Sequence, residues 1–196
     1  MKIAKIVSST SHIAYIARVL DGRDGKTVPD PDDHGFGKFV TLPDGDVSTV
    51  GVICDSRLVN PEYQNFTPRT ASMPALGELR RDVIDEKRSL IGILLLGTLA
   101  ADDHGKQEIP SRLIQPGQTV HTMEQIDIMR FHLDGANTLQ LNYLPNVLAN
   151  AGALAVPLAR AMIAALEQDC SQQDRRRLAV ISNALNWRHT IGGLRI

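Results

Sequence analysis

Aromatic residues are scarce. Four Phe, three Tyr and one Trp make up 4% of 196 residues, too few for the row of exposed rings on which single-stranded nucleic acid stacks. Excess charge of either sign is missing as well. Lys+Arg 21 against Asp+Glu 22 leaves a formal charge of -1, so no overall field recruits nucleic acid or an anionic membrane. Direct nucleic-acid binding is therefore disfavoured. From residue 121 onward there are seven Arg and no Lys against six acids, so neither half is a basic magnet.

Long hydrophobic runs are absent too. The longest, Leu90 to Ala101, is interrupted by Gly92, Gly97 and Thr98 and falls short of the roughly 20 residues that span a bilayer. Met1 to Val7 is short and broken by Lys2 and Lys5, unlike a secretory leader. These features predict a cytoplasmic protein with no membrane partner. The two cysteines, Cys54 and Cys170, lie far apart with no second thiol near either, which excludes a zinc knuckle or a redox pair and leaves two reduced thiols.

What is present divides into two patterns. Ile3 to Val7, Ile13 to Leu20, Lys38 to Leu42 and Ser48 to Asp55 are β-branched-rich segments punctuated by Asp-Gly turns, and Pro43-Asp44-Gly45-Asp46 reads as a hairpin turn. Arg57 to Arg69 reads as a surface loop, and Met73 to Lys87 as holding a short helix from Ala75. Ile91 to Leu99 is a continuous apolar run expected to be a strand buried on both faces. Ile109, Leu113-Ile114 and Val120 suggest short final strands.

From Thr122 the period becomes helical. Thr122-Met123-Glu124-Gln125 has the spacing of a capping box. Ala153 to Gln168 is a buried helix with Leu154, Leu158, Met162 and Leu166 at four-residue steps. Ser171 and Asp174 offer a cap for a last helix whose inward face is Leu178, Ile181 and Leu185. The expected fold is α+β: a small closed or partly open antiparallel β-barrel over residues 1–118, then three to four helices over 119–196.

Few constellations carry chemistry. Gly25-Lys26-Thr27 resembles the end of a phosphate-binding loop, but Leu20 stands where the first glycine belongs and Pro29 and Pro31 forbid the helix that must follow. No nucleotide cofactor is expected. Asp32-Asp33-His34-Gly35 and Asp102-Asp103-His104-Gly105 repeat a tetrapeptide that would bind a divalent metal if Asp32, Asp33, His34, Asp102, Asp103 and His104 converged. As separate segments they are turns. A metal-dependent hydrolase using both is one alternative function, and a nucleic-acid-binding OB-like barrel is another.

His12, His121, His132 and His189 have no helical partner of zincin type and read as polar surface or capping residues. No hydroxyl, imidazole and carboxylate are spaced as a nucleophilic set, so no catalytic residue is assigned. The run Arg175-Arg176-Arg177 reads as a solvated face, with Arg175 and Arg176 as candidate contacts near a helix start. Trp187 beside Arg188, the only tryptophan, is an anchor either in the protein's own core or in a partner interface.

The segments Lys5-Ile6-Val7, Ser11 to Val19, Phe36-Gly37-Lys38-Phe39-Val40 and Val50 to Asp55 together resemble the HAS-barrel. That small barrel is shared by HerA-type DNA-translocating ATPases and the N-terminal crown of rotary ATP synthase subunits. The resemblance covers residues 1–118, and the ATPase core is missing. It implies a non-enzymatic accessory or docking module without cofactors, whose partner is a protein such as a HerA-like ATPase and which self-associates as a homo-oligomer.

Overall fold

In the computed structural model, residues 1–22, 24, 28–59, 88–101 and 104–192 are described, with side chains described up to Trp187 and for all but Arg88. Six strands, β1 (Lys2–Ser9), β2 (Ala14–Val19), β3 (Phe39–Asp44), β4 (Val47–Val59), β5 (Arg88–Ala100) and β6 (Thr119–Thr122), form a closed barrel in the order β1-β2-β5-β4-β3-β6. Every pairing is antiparallel. Four helices follow: α1 (Gln125–His132), α2 (Leu144–Asn150), α3 (Ala155–Glu167) and α4 (Gln172–Gly192).

The alternation in β2 puts Tyr15, Ala17 and Val19 inside and leaves Ala14, Ile16 and Arg18 half-exposed, as a period of two requires. In β5 the run Ile93 to Leu96 is buried without alternation, because the helices cover the face that the barrel does not fill. The β3–β4 hairpin turns at Gly45-Asp46, between the paired Asp44 and Val47. Gly45 has φ +63°, a left-handed value that a tight hairpin demands and a side chain resists.

Four expectations change here. The barrel closes only with β6, which pairs with β1 and β3, so its last strand lies beyond residue 118. Thr122 ends that strand and accepts a 3.0 Å hydrogen bond from the Met1 amine; it caps no helix. The N-cap of α1 is Glu124, without a side-chain bond. Ile109 and Leu113 are exposed and form no strand, since Pro110 and Pro116 lack the N–H that a ladder needs. The path there is fixed instead by His12 Nε2 donating to the Pro110 carbonyl at 2.7 Å and the Ile114 N–H donating to the Tyr15 hydroxyl at 3.2 Å. At the loop expected from Arg57, β4 continues to Val59; residues 60–87, with the helix expected from Ala75, lie outside the described residues.

The helices sit on the barrel through one continuous hydrophobic cluster that joins Ile3, Phe39, Ile53 and Leu94 to Phe131, Val147, Met162 and Leu178. Gly37 marks a close approach of α3. A Cβ there would stand 2.7 Å from the Ala161 Cβ of α3, and φ is +82°.

Candidate functional site

The first acidic tetrapeptide is a turn. Pro31–His34 forms one 3-10 turn in which the Asp32 N–H donates to the Asp30 carboxylate at 3.0 Å and the Asp30 N–H donates to the Asp33 carboxylate at 2.9 Å. The carboxylates of Asp30 and Asp33 thus hold their own backbone. Asp102 and Asp103 lie outside the described residues, as do Gly25, Lys26 and Thr27. Of the second tetrapeptide, the Gly105 N–H donates to the Arg130 carbonyl at 3.3 Å. Among the described residues no three His, Cys, Asp or Glu side chains gather as metal ligands.

His132 corrects the reading of the histidines as surface groups. It is fully buried at the end of α1, ringed edge-on by Phe39, Phe131 and Tyr143 at centroid distances of 5.1, 5.0 and 5.5 Å. A carbonyl can only accept, so Nδ1–H donates to the Ile128 carbonyl at 2.6 Å. Nε2 is then the acceptor for the Tyr143 hydroxyl at 2.7 Å. Burial pushes the imidazole down to about 4 and raises the Tyr143 hydroxyl above its ordinary range, so both are neutral at pH 7. Sealed from solvent and mutually satisfied, they hold structure together.

A surface groove of about 450 Å³ runs along the flank of the barrel, between Ile16, Cys54, Leu90 and Gly92 on one side and Gly152–Leu154 on the other. Burial first, and Asp55 second, push the Cys54 thiol up. It is therefore a weak nucleophile at neutral pH.

The last helix presents the most unusual surface. Its start is capped as the sequence predicts: the Asp174 N–H donates to Ser171 Oγ at 3.1 Å, and that hydroxyl donates to the Asp174 carboxylate at 2.6 Å. Leu178 and Leu185 are buried and Ile181 is half-buried. Of the three arginines, Arg175 reaches back to the last carbonyls of α3, donating to Glu167 at 2.9 Å and Gln168 at 3.2 Å. Arg177 pairs with Asp174 at 3.6 Å. Among the described residues Arg176 makes neither a hydrogen bond nor an ion pair.

Trp187 is 71% exposed and Val180 69%. That exposure places the ring outside the hydrophobic core of the described residues. Arg188 lies on the same helix, with its side chain outside the described set. Sequence reasoning named Trp187 and Arg176 but missed Val180, although their spacings of four and seven residues lie on one helical face.

The sequence profile of a domain of unknown function, DUF8166, matches residues 1–195. The chain belongs to the DUF8166 family. The match takes in the barrel and all four helices. No curated protein matches the sequence. No described helix is long and apolar enough to cross a membrane.

Proposed function

We propose that this DUF8166 chain is a non-enzymatic docking module: a barrel of HAS type whose helical extension binds protein, as an accessory subunit of a HerA-like ATPase. The observation that carries the reading is Trp187, the single tryptophan, held 71% exposed on the outward side of a 21-residue helix. Large amphipathic rings of this kind supply a disproportionate share of binding energy at protein interfaces. An exposed Trp gains nothing for the isolated fold. The antiparallel barrel supports the same reading, because its interior is filled by Ile3, Leu42, Ile53 and other fully buried side chains and serves as a rigid platform.

The test is affinity purification of the tagged full-length chain from its native cell, followed by mass spectrometry. A translocase-type ATPase is expected at stoichiometric yield and is lost with Trp187→Ala. A salt-sensitive shift of oligonucleotides by the pure chain, with no ATPase captured, overturns the docking reading in favour of direct nucleic-acid binding.

A further inference from the structure

We infer that the outward face of α4 receives an acidic segment of a partner protein, its carboxylates on the Arg175–Arg177 turn and its apolar side chains over Val180 and Trp187. The inference rests on the docking reading above and adds the chemistry of what docks.

The period of the helix separates two opposite sides. Asp174, Leu178 and Leu185 are buried and Ile181 is half-buried, and at about 100° per residue they share one side. Arg176, Val180, Asn183 and Trp187 share the other, within about 60° of one another. All four are exposed. From Arg176 to Trp187 is about 16 Å at the helical rise.

Charge decides what can lie there. Gln172–Gly192 holds four Arg and a single acid, Asp174. That carboxylate is turned inward, 6% exposed and held by the Ser171 hydroxyl, so none stands among the exposed residues of α4 up to Trp187. Glu167 and Asp169, on the corner before the helix, pair with no arginine among the described residues. The whole chain has a formal charge of -1, so this positive helix is set against a negative remainder. An interface on it requires negative charge from the partner.

The same asymmetry favours a short acidic segment over a large polyanion. A nucleic acid or an anionic bilayer would meet the negative remainder of the chain as well as α4. An interfacial helix also lays a broad apolar face into lipid, whereas Leu178 and Leu185 are packed in the subunit's own core. Stacked bases need a row of rings, and α4 offers one.

Arg175 is anchored to the α3 carbonyls and Arg177 to Asp174, so both are fixed charges at one end of the stripe. Arg176 has no partner among the described residues and is free to take a carboxylate through two N–H groups. Val180 and Trp187 then supply the apolar contact, with the indole as its anchor.

The test selects random peptides of about twelve residues, long enough to span the stripe extended or helical. A phage library lacking Trp is panned against the purified full-length chain. Enrichment of sequences with carboxylates grouped beside apolar residues is expected. Because the chain has a single Trp, an enriched synthetic peptide should move its emission to shorter wavelength. Arg176→Glu should weaken that binding about tenfold or more, with the circular dichroism of the fold retained. Arg160→Glu, at an exposed arginine on α3, should leave it unchanged.

No enrichment, enrichment of sequences without acids, or binding that survives Arg176→Glu overturns the inference. So does an emission shift caused by phosphatidylserine–phosphatidylcholine vesicles or an oligonucleotide and not competed by the acidic peptides. If an ATPase is captured through Trp187 and Arg176→Glu does not weaken the capture, the acidic partner is wrong and the docking function stands. Acidic peptides bound through Arg176 with no ATPase captured have the reverse meaning.

Discussion

The Tyr143 hydroxyl donates to His132 Nε2 across 2.7 Å inside the seam between barrel and helices, fixing which imidazole nitrogen carries hydrogen. Tyr143→Phe keeps the ring stack with Phe131 at 6.1 Å but leaves a buried nitrogen acceptor unanswered. A loss of about 1–3 kcal/mol is expected in urea unfolding, without change in the barrel's circular dichroism.

His132 also sets an acid limit. Its pKa is about 4 in the fold against about 6.5 when unfolded, so between those values the unfolded chain binds the extra proton. Stability is full above pH 6.5, falls as pH drops toward 4, and loses nothing further from this group below that. The total is roughly 3 kcal/mol. Urea titrations from pH 7.5 to about 4 should show this decline in the wild type and a flatter profile in His132→Gln, itself less stable at neutral pH.

Asp24 takes both guanidinium nitrogens of Arg18, at 2.7 and 2.8 Å, with Lys5 at 3.7 Å. The hydrogen bonds to Arg18 hold its carboxyl well below the usual range. The stabilisation is present above the ordinary carboxylate pKa and is lost as pH falls through the depressed one. Asp24→Asn should cost about 1 kcal/mol at pH 7, reduced in high salt, as measured by chemical unfolding at two ionic strengths.

Two glycine substitutions separate strain from crowding. Gly45→Ala meets no atom within 4 Å, so it bears only the left-handed backbone penalty of about 1–2 kcal/mol. Gly37→Ala adds the collision with Ala161 and should cost about 2–4 kcal/mol, moving α3 off the barrel. Thermal melts of the two variants test the order.

Alkylation of the native protein tests the thiols. Cys54 is half-buried with its pKa raised, and Cys170 is buried. Iodoacetamide at pH 7.5 should label both far more slowly than it labels the urea-unfolded chain. Rapid labelling of Cys54 would show that the flank groove is more open than its lining indicates.

Much of the barrel is legible in the sequence because strand periodicity and Asp-Gly turns are local signals. The β3–β4 hairpin and the buried run of β5 follow from them directly. The misread places need distant partners: Thr122 looks like a cap until Met1 arrives beside it. His132 looks polar until Phe39 of β3 and Tyr143 before α2 close over it beside Phe131. At α4 the inward face of Leu178, Ile181 and Leu185 is plain from the period of 3.6. Which arginine stays unengaged is not, since the reach of Arg175 to the α3 carbonyls depends on how the helical hairpin closes.

That same Met1–Thr122 seam has a kinetic meaning. The β1–β6 ladder joins Lys2 to His121, across most of the barrel's sequence, whereas α3 and α4 are joined by a few residues. Loop closure over that span is the most entropically demanding step of the topology. On that ground the helical hairpin is expected to form before β1 seals to β6. Until the seam closes, β1 and β6 are unpaired edges that strands of other chains can extend, so closing the barrel removes the edges on which aggregation would start.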